Sequence, residues 1–306
     1  MLDIDRLTGV LVALASPLHE DGSVDEAAIG RLVDHVVAGG VHGVLALGST
    51  GESASLDEPS RRKVLRAVVE AANGRVPVLC GVAQSHLAAT LAEVQAAKDL
   101  GAEAVLVAPP FYYPMSQPQL LDFFRQVAAG SPLPVMLYNI PQFTKVVAEA
   151  ATVATLAREG TIRGIKDSSR DFEYFEGVCL ATREMPAFRL FTGSDSMLLA
   201  SLAMGGSGTI CGAGNIAPEW VVRIYDAYVR GDIPAAREAQ DRLYRLVMAV
   251  RDGIFPSAIK AALQLMGICE PWTAPPATRL DERMEVRLRD QLAQLGLLTR
   301  AASRRH

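Results

Sequence analysis

The chain has 306 residues, half of them hydrophobic and 21% charged, with a formal net charge of −4. That composition supplies a large core and argues against a disordered chain, and without a basic stripe it argues against a nucleic-acid partner. No apolar run reaches the length of a membrane span, and the N-terminus lacks a basic region followed by an apolar core, so no membrane partner and a cytoplasmic location are expected. Only the tail Arg300…Arg304-Arg305 is locally basic, as a frayed terminus would be. Cys80, Cys179, Cys211 and Cys269 fit no metal or redox spacing and read as reduced, mostly buried thiols. The five histidines (His19, His35, His42, His86, His306) form no ligand pair, so no metal is expected.

A strand signal comes first, Gly9 to Ala15, stopped by Ser16-Pro17, and a helical stretch follows from about Asp25 to Val37. The pair repeats as strand Gly43–Leu47, loop Ser49-Thr50-Gly51-Glu52 and a helix opened by Asp57-Glu58-Pro59 that runs to about Ala72. Strand three is Pro77–Val82, with a helix from His86 to Leu100 closed by Gly101. Strand four, Ala104–Ala108, runs into Pro109-Pro110-Phe111-Tyr112-Tyr113-Pro114, then a helix from Ser116 or Gln117 to Ala129. Strand five is Pro134–Tyr138, and Asn139-Ile140-Pro141 leads towards a helix from about Ala148 to Arg158. Strand six is Ile162–Asp167, with a helix from Asp171 to Arg183; strand seven is Arg189–Thr192, with a helix from Asp195 to Met204. Strand eight is Ser207–Cys211, before the helix Pro218–Val229.

Eight βα units in succession, with strands apolar on both faces, predict a (β/α)8 TIM barrel over residues 1–230. Beyond Gly231 the pattern turns wholly helical. Ile233–Val250, Pro256–Met266 and Asp281–Leu295 predict a three-helix appendage over residues 231–306, interrupted by the Pro271…Pro275-Pro276 linker.

In such a barrel the chemistry sits at the C-terminal ends of the strands. Those ends hold Ser49-Thr50, Tyr112-Tyr113, Tyr138, Lys166, Gly193-Ser194-Asp195 and Gly212-Ala213-Gly214. Each has an ordinary explanation: Tyr138 as a core cap, Tyr112 as a rim aromatic, Asp195 as a helix N-cap. Lys166 is the exception. A period of two puts Ile162, Gly164 and Lys166 on one face, with Gly164 leaving room for the stem. Lysine is seldom buried, and a buried one is either half of a structural ion pair or an amine kept for chemistry. On its own strand the ion pair is the plainer reading.

Its neighbourhood reverses that preference. Tyr138 and Lys166 end consecutive strands about 4.8 Å apart, so phenol and amine can meet. An amine at the reference pKa of about 10.4 is protonated at neutral pH, and desolvation in a barrel mouth favours the free form needed for Schiff-base chemistry. A phenol alongside can shuttle the protons. The Gly48-Ser49-Thr50-Gly51-Glu52 loop lacks the lysine of a P-loop, yet its hydroxyls and N–H groups suit a carboxylate; an ordinary tight turn is the alternative. Gly212-Ala213-Gly214-Asn215-Ile216-Ala217 superficially matches a dinucleotide fingerprint but has no further strand to complete the fold.

Taken together, Gly48-Ser49-Thr50-Gly51-Glu52, Pro110-Phe111-Tyr112-Tyr113, Tyr138-Asn139-Ile140-Pro141, Gly164-Ile165-Lys166-Asp167 and Gly193-Ser194-Asp195 resemble the dihydrodipicolinate synthase/N-acetylneuraminate lyase family of class I pyruvate-dependent aldolases. The likeness covers nearly the whole chain. It implies a homotetramer (a dimer of dimers) with no cofactor beyond a covalent Schiff base between Lys166 and pyruvate or another 2-oxo acid. It also implies Tyr138 as proton shuttle, and Thr50 and Tyr112 completing a hydroxyl relay, with Tyr112 arriving from a neighbouring subunit. Ser49 and Thr50 would bind the pyruvate carboxylate, and the Ile210 main chain would line the pocket.

The second substrate is where the chain departs from the family. Phe143 stands where the synthases carry an arginine, and a phenyl ring cannot clamp a carboxylate. Gly193-Ser194-Asp195-Ser196 lacks the acid that follows the aspartate in sialate lyases, and Gly212 replaces their serine after strand eight. A polar pocket with Asp195, Ser168, Ser196 and Tyr113 beside the apolar Phe143 suits a hydroxylated 2-oxo acid, such as a 2-keto-3-deoxy sugar acid, or a smaller aldehyde. The alternatives are a 4-hydroxy-tetrahydrodipicolinate synthase, a 2-keto-3-deoxy sugar acid dehydratase and a non-catalytic binding barrel.

Overall fold

The computed structural model describes residues 3–298; the basic tail from Arg300 and His306 lie outside the described residues. Eight strands, β1 (Gly9–Ala13), β2 (Gly43–Ala46), β3 (Val78–Val82), β4 (Ala104–Val107), β5 (Val135–Asn139), β6 (Gly164–Asp167), β7 (Arg189–Thr192) and β8 (Gly208–Cys211), pair in chain order into a closed barrel. Every pairing is parallel, and β8 returns to β1 in the register Gly9↔Gly208. The seam is tight: a Cβ on Gly208 would lie 1.9 Å from the Gly9 carbonyl oxygen, and its φ of +146° is open only to glycine.

Because side chains alternate along a strand, the barrel has two cores. Leu11, Leu45, Leu79, Leu106, Met136, Phe191 and Ile210 fill the interior. Val10, Val12, Val44, Val78, Val105, Leu137 and Ile165 pack outward against the helices. A one-residue slip would exchange the two sets, so each strand's apolar pattern fixes its register. Ile162 does not follow the predicted phase. It precedes β6, which starts at Gly164, and it packs in the outer layer.

The surrounding helices are α1 (Glu26–Ala38), α2 (Glu58–Ala72), α3 (Leu87–Asp99), α4 (Gln117–Gly130), α5 (Pro141–Thr144), α6 (Ala150–Arg158), α7 (Phe172–Thr182), α8 (Leu198–Ala203) and α9 (Pro218–Val229). Asp25, Asp57, His86 and Asp171 cap α1, α2, α3 and α7, each accepting a backbone N–H three residues on, as the sequence punctuation predicts. Two differences bear on the barrel mouth. The short α5, started by Pro141 and closed by Thr144 Oγ1 donating to the Ile140 carbonyl at 3.1 Å, is absent from the periodicity because one turn is too brief to show one. The helix expected from Asp195 splits into a 3₁₀ turn, Asp195–Met197, and α8.

Three further helices, α10 (Ile233–Arg251), α11 (Ser257–Leu265) and α12 (Glu282–Gln294), close the chain. Gln240 on α10 brackets the turn after β7, donating to the Asp195 carbonyl at 3.0 Å and accepting from Leu199 N at 3.0 Å. Among the described residues no helix is long and apolar enough to cross a membrane, and no group of three or more His, Cys, Asp or Glu could hold a metal ion. All four cysteines are free and buried.

Candidate active site

Strands β5 and β6 set Tyr138 directly opposite Lys166 in register, both on the interior face at the C-terminal end of the barrel. The Lys166 amine lies 4.5 Å from the centroid of the Tyr138 ring. Lys166 is only 4% exposed, yet among the described residues it forms no ion pair with any carboxylate. The structural-pair reading of this lysine therefore fails. Room for its stem comes from an unexpected place. A Cβ on Gly193 would stand 2.8 Å from Lys166 Cε and 2.0 Å from Ser168 Oγ, whereas Gly164 faces the Arg189 carbonyl and Met136. Glycine at 193, on the neighbouring strand end, is what admits the lysine.

The strand ends are tied together from the outer side. Asn139 and Asp167 are also register partners, and Asn139 Nδ2 donates to Asp167 Oδ1 at 2.8 Å. Asn139 Oδ1 accepts from Ala148 N, and Asp167 accepts from the Ser169 N–H and hydroxyl. Burial raises the Asp167 carboxyl above its ordinary value while these bonds oppose it. Residue spacing alone does not single out this brace. Its signal is a pair of polar residues directly following two paired interior residues, which strand alternation turns outward together.

The loop after β2 supplies the facing hydroxyls. Ser49 Oγ is 3.4 Å from Tyr138 Oη, and Thr50 is buried, with its Oγ1 3.7 Å from where a Cβ on Gly212 would sit. Ile210 on β8 lines the interior core. Amine, phenol and hydroxyl loop thus share one end of the barrel.

Asp195 does not cap a helix; Ser194 occupies that position. The Asp195 carboxylate instead turns to β8's exit, where Oδ2 accepts from Ala213 N at 3.4 Å. Its Oδ1 is shut off from solvent with no hydrogen-bond partner. Burial pushes its pKa up to about 6, against the Ala213 N–H and the charges of Lys166 and Arg251. Ser168 is buried beside Gly193. Two predicted residues stand apart. Tyr112 is 81% exposed, in the left-handed region at φ +85° and edge-on to Tyr113 at 5.0 Å, away from this chain's own lysine. Phe143 is 53% exposed, its ring 6.3 Å from Phe255, a partner that no local pattern foretold.

A buried, unpaired amine facing a phenol at the mouth of a closed barrel defines an amine-catalysis scaffold. The dihydrodipicolinate synthetase family model matches residues 6–295, and the chain belongs to that family, as a lyase. It is 36% identical over 292 residues to a DapA-like lyase of Halobacterium salinarum, covering 95% of both chains. It is 35% identical to the 4-hydroxy-tetrahydrodipicolinate synthase of Methanopyrus kandleri, covering 96% of this chain and 98% of that one. Among solved structures it is similar to YagE, a prophage protein of E. coli K12 in complex with pyruvate, at TM-score 0.91 and 32% identity over 95% and 99% of the two chains. A monomeric dihydrodipicolinate synthase variant aligns at TM-score 0.93 and 30% identity, over 96% of this chain and 99% of that one.

Proposed function

We propose that the protein is a class I aldolase that makes or breaks a carbon–carbon bond between pyruvate and an aldehyde through a Schiff base on Lys166, acting on a 2-keto-3-deoxy sugar acid or related 2-oxo acid. The observation that carries this reading is Lys166 itself, buried without an ion pair and in register with Tyr138. The free amine adds to the C2 carbonyl of pyruvate, and loss of water gives an iminium. The iminium acidifies C3, whose proton leaves to give an enamine. The enamine carbon then attacks the aldehyde, its oxygen takes up a proton, and water releases the product from Lys166. Tyr138 carries protons to and from the carbinolamine, with Ser49 Oγ at 3.4 Å and Thr50 as the next hydroxyls. The Ser49–Thr50 turn holds the substrate carboxylate, the Ile210 main chain borders the pocket, and Gly193 admits the lysine stem.

On the acceptor side, Asp195 and Ser168 offer polar contacts and Phe143 with Phe255 an apolar rim. Such a lining favours a hydroxylated aldehyde over a carboxylated one. The synthase reading draws on the names of the relatives, and against it stands Phe143, which cannot hold an acceptor carboxylate. Tyr112 belongs to the site only in an assembly where it enters a neighbouring subunit. Its exposure and left-handed backbone fit that role in a homotetramer, and sedimentation would give the assembly state. The deciding experiment supplies 2-keto-3-deoxy sugar acids and analyses the products. Release of pyruvate supports the aldolase; retention of the carbon skeleton with loss of water means a dehydratase instead.

A further inference from the structure

Two lysines are buried among the described residues, in opposite ways. Lys166 is unpaired; Lys260, on α11, is fully buried and fully engaged. Its amine pairs with Glu52 and donates to the Trp272 carbonyl at 2.6 Å. The other Glu52 oxygen accepts from Ala274 N at 2.7 Å. Burial pulls the Lys260 amine below its ordinary pKa, and the Glu52 charge opposes that pull.

Glu52 is two residues from Thr50, in the loop that presents the Ser49 and Thr50 hydroxyls. That loop is held in an unusual shape. Leu47 at its start has φ +58° and Glu52 at its end has φ +57°, both left-handed and neither glycine. Non-glycine residues stay in that region only where their surroundings hold them. The holding contacts are visible. Ser16 Oγ donates to the Gly51 carbonyl at 2.7 Å, and Glu52 is gripped by α11 and the segment after it. The same helix reaches the β8 exit, where Ile259 Cδ1 and Thr50 Oγ1 lie 3.6 and 3.7 Å from the point a Cβ on Gly212 would occupy. Helix α11 therefore spans the loops after β2 and β8 on the side of Thr50.

We propose that Lys260 and Glu52 are positioning residues, whose ion pair fixes the Ser49–Thr50 turn in the geometry that receives the carboxylate of the 2-oxo acid. The inference rests on the carboxylate-binding role given to that turn above. A buried ion pair is a poor device for stability alone, since well-packed apolar residues of the same volume serve as well. What apolar packing does not supply is direction: a carboxylate paired with an ammonium through one oxygen and accepting an amide N–H through the other has its position and orientation fixed. The helical region after residue 231 is then a working part of the site.

The test measures borohydride trapping of pyruvate on Lys166 as a function of pyruvate concentration, which needs no acceptor. The double variant Glu52→Gln/Lys260→Met removes both charges and strands neither. Its half-saturating pyruvate concentration should rise about tenfold, and adding Thr50→Ala should cost less in that background than in the wild type. A folded double variant whose concentration dependence stays within twofold of wild type, with multiplicative effects, reduces the pair to a structural tie and overturns the proposal. A second measurement uses the unaltered protein: pyruvate should slow amide exchange in residues 47–53 and 272–274 together. Protection of the first segment alone also overturns the proposal. Absence of any adduct in the wild type is a different failure, that of the Lys166 reading.

Discussion

Replacing Lys166 by methionine removes the amine and keeps most of the stem's volume. In the folded protein Lys166 is only 4% exposed and has no carboxylate partner. Holding an amine at such a largely desolvated place without a counter-charge costs about 1–3 kcal/mol. The contact over the Tyr138 ring at 4.5 Å offsets about 1 kcal/mol of this. Lys166→Met should therefore be more stable than the wild type by about 1 kcal/mol, or about 2 °C in Tm for a chain of this size. Lys260→Met is the internal control with the opposite sign. It leaves Glu52 buried without its partner, which costs about 3–5 kcal/mol and lowers Tm by about 6–10 °C. The assay is a paired thermal unfolding series on the two variants with activity measured in parallel. An inactive Lys166→Met that melts above the wild type is the expected pattern, stability gained where function is lost. A Lys166→Met that melts as far below the wild type as Lys260→Met does would mean that Lys166 is half of a structural pair, and the reasoning would be refuted.

Tyr138→Phe keeps the ring in the interior core and deletes one hydroxyl whose bond to Ser49 is long, so the fold should be unaffected while kcat falls by about 10²–10⁴, the range for one general acid–base group; a loss below threefold assigns the proton transfer elsewhere. Asp195 has a folded pKa of about 6 against an unfolded value of about 3.9, so the folded state is favoured while the group stays protonated and loses that advantage as pH rises from about 4 to 6. Across that window the wild type should lose stability relative to Asp195→Asn, and the acceptor KM should fall with the same inflection as the carboxylate forms. Equal slopes for the two proteins would show that burial does not raise the Asp195 pKa. Phe143→Arg should raise kcat/KM for a carboxylated semialdehyde by tenfold or more, by supplying the charge that the phenyl ring lacks; an unchanged value would place the acceptor's carboxylate away from residue 143.

The barrel was legible because the local signals agree: eight apolar strands, each followed by a helical stretch, leave little choice of architecture. The Tyr138–Lys166 pairing was legible for the same reason, since consecutive strand ends in such a barrel are neighbours. What escaped depends on contacts that sequence spacing does not encode. Lys260 meets Glu52 across more than two hundred residues, Phe255 meets Phe143 across more than one hundred, and no periodicity joins them. Asp195 had the composition of an N-cap, and only the approach of the β8 exit shows why its carboxylate turns to Ala213. The room for the lysine stem was assigned to Gly164 on its own strand; twist and close approach at the barrel mouth give that task to Gly193 on the next.

The central claim is that Lys166 is the nucleophile. Incubation with pyruvate and borohydride, followed by peptide mass mapping, tests it most directly. The account predicts a reduced pyruvyl adduct on the peptide containing Lys166, and none in Lys166→Met. An unmodified Lys166 peptide in the wild type, or an adduct confined to another lysine, would contradict it.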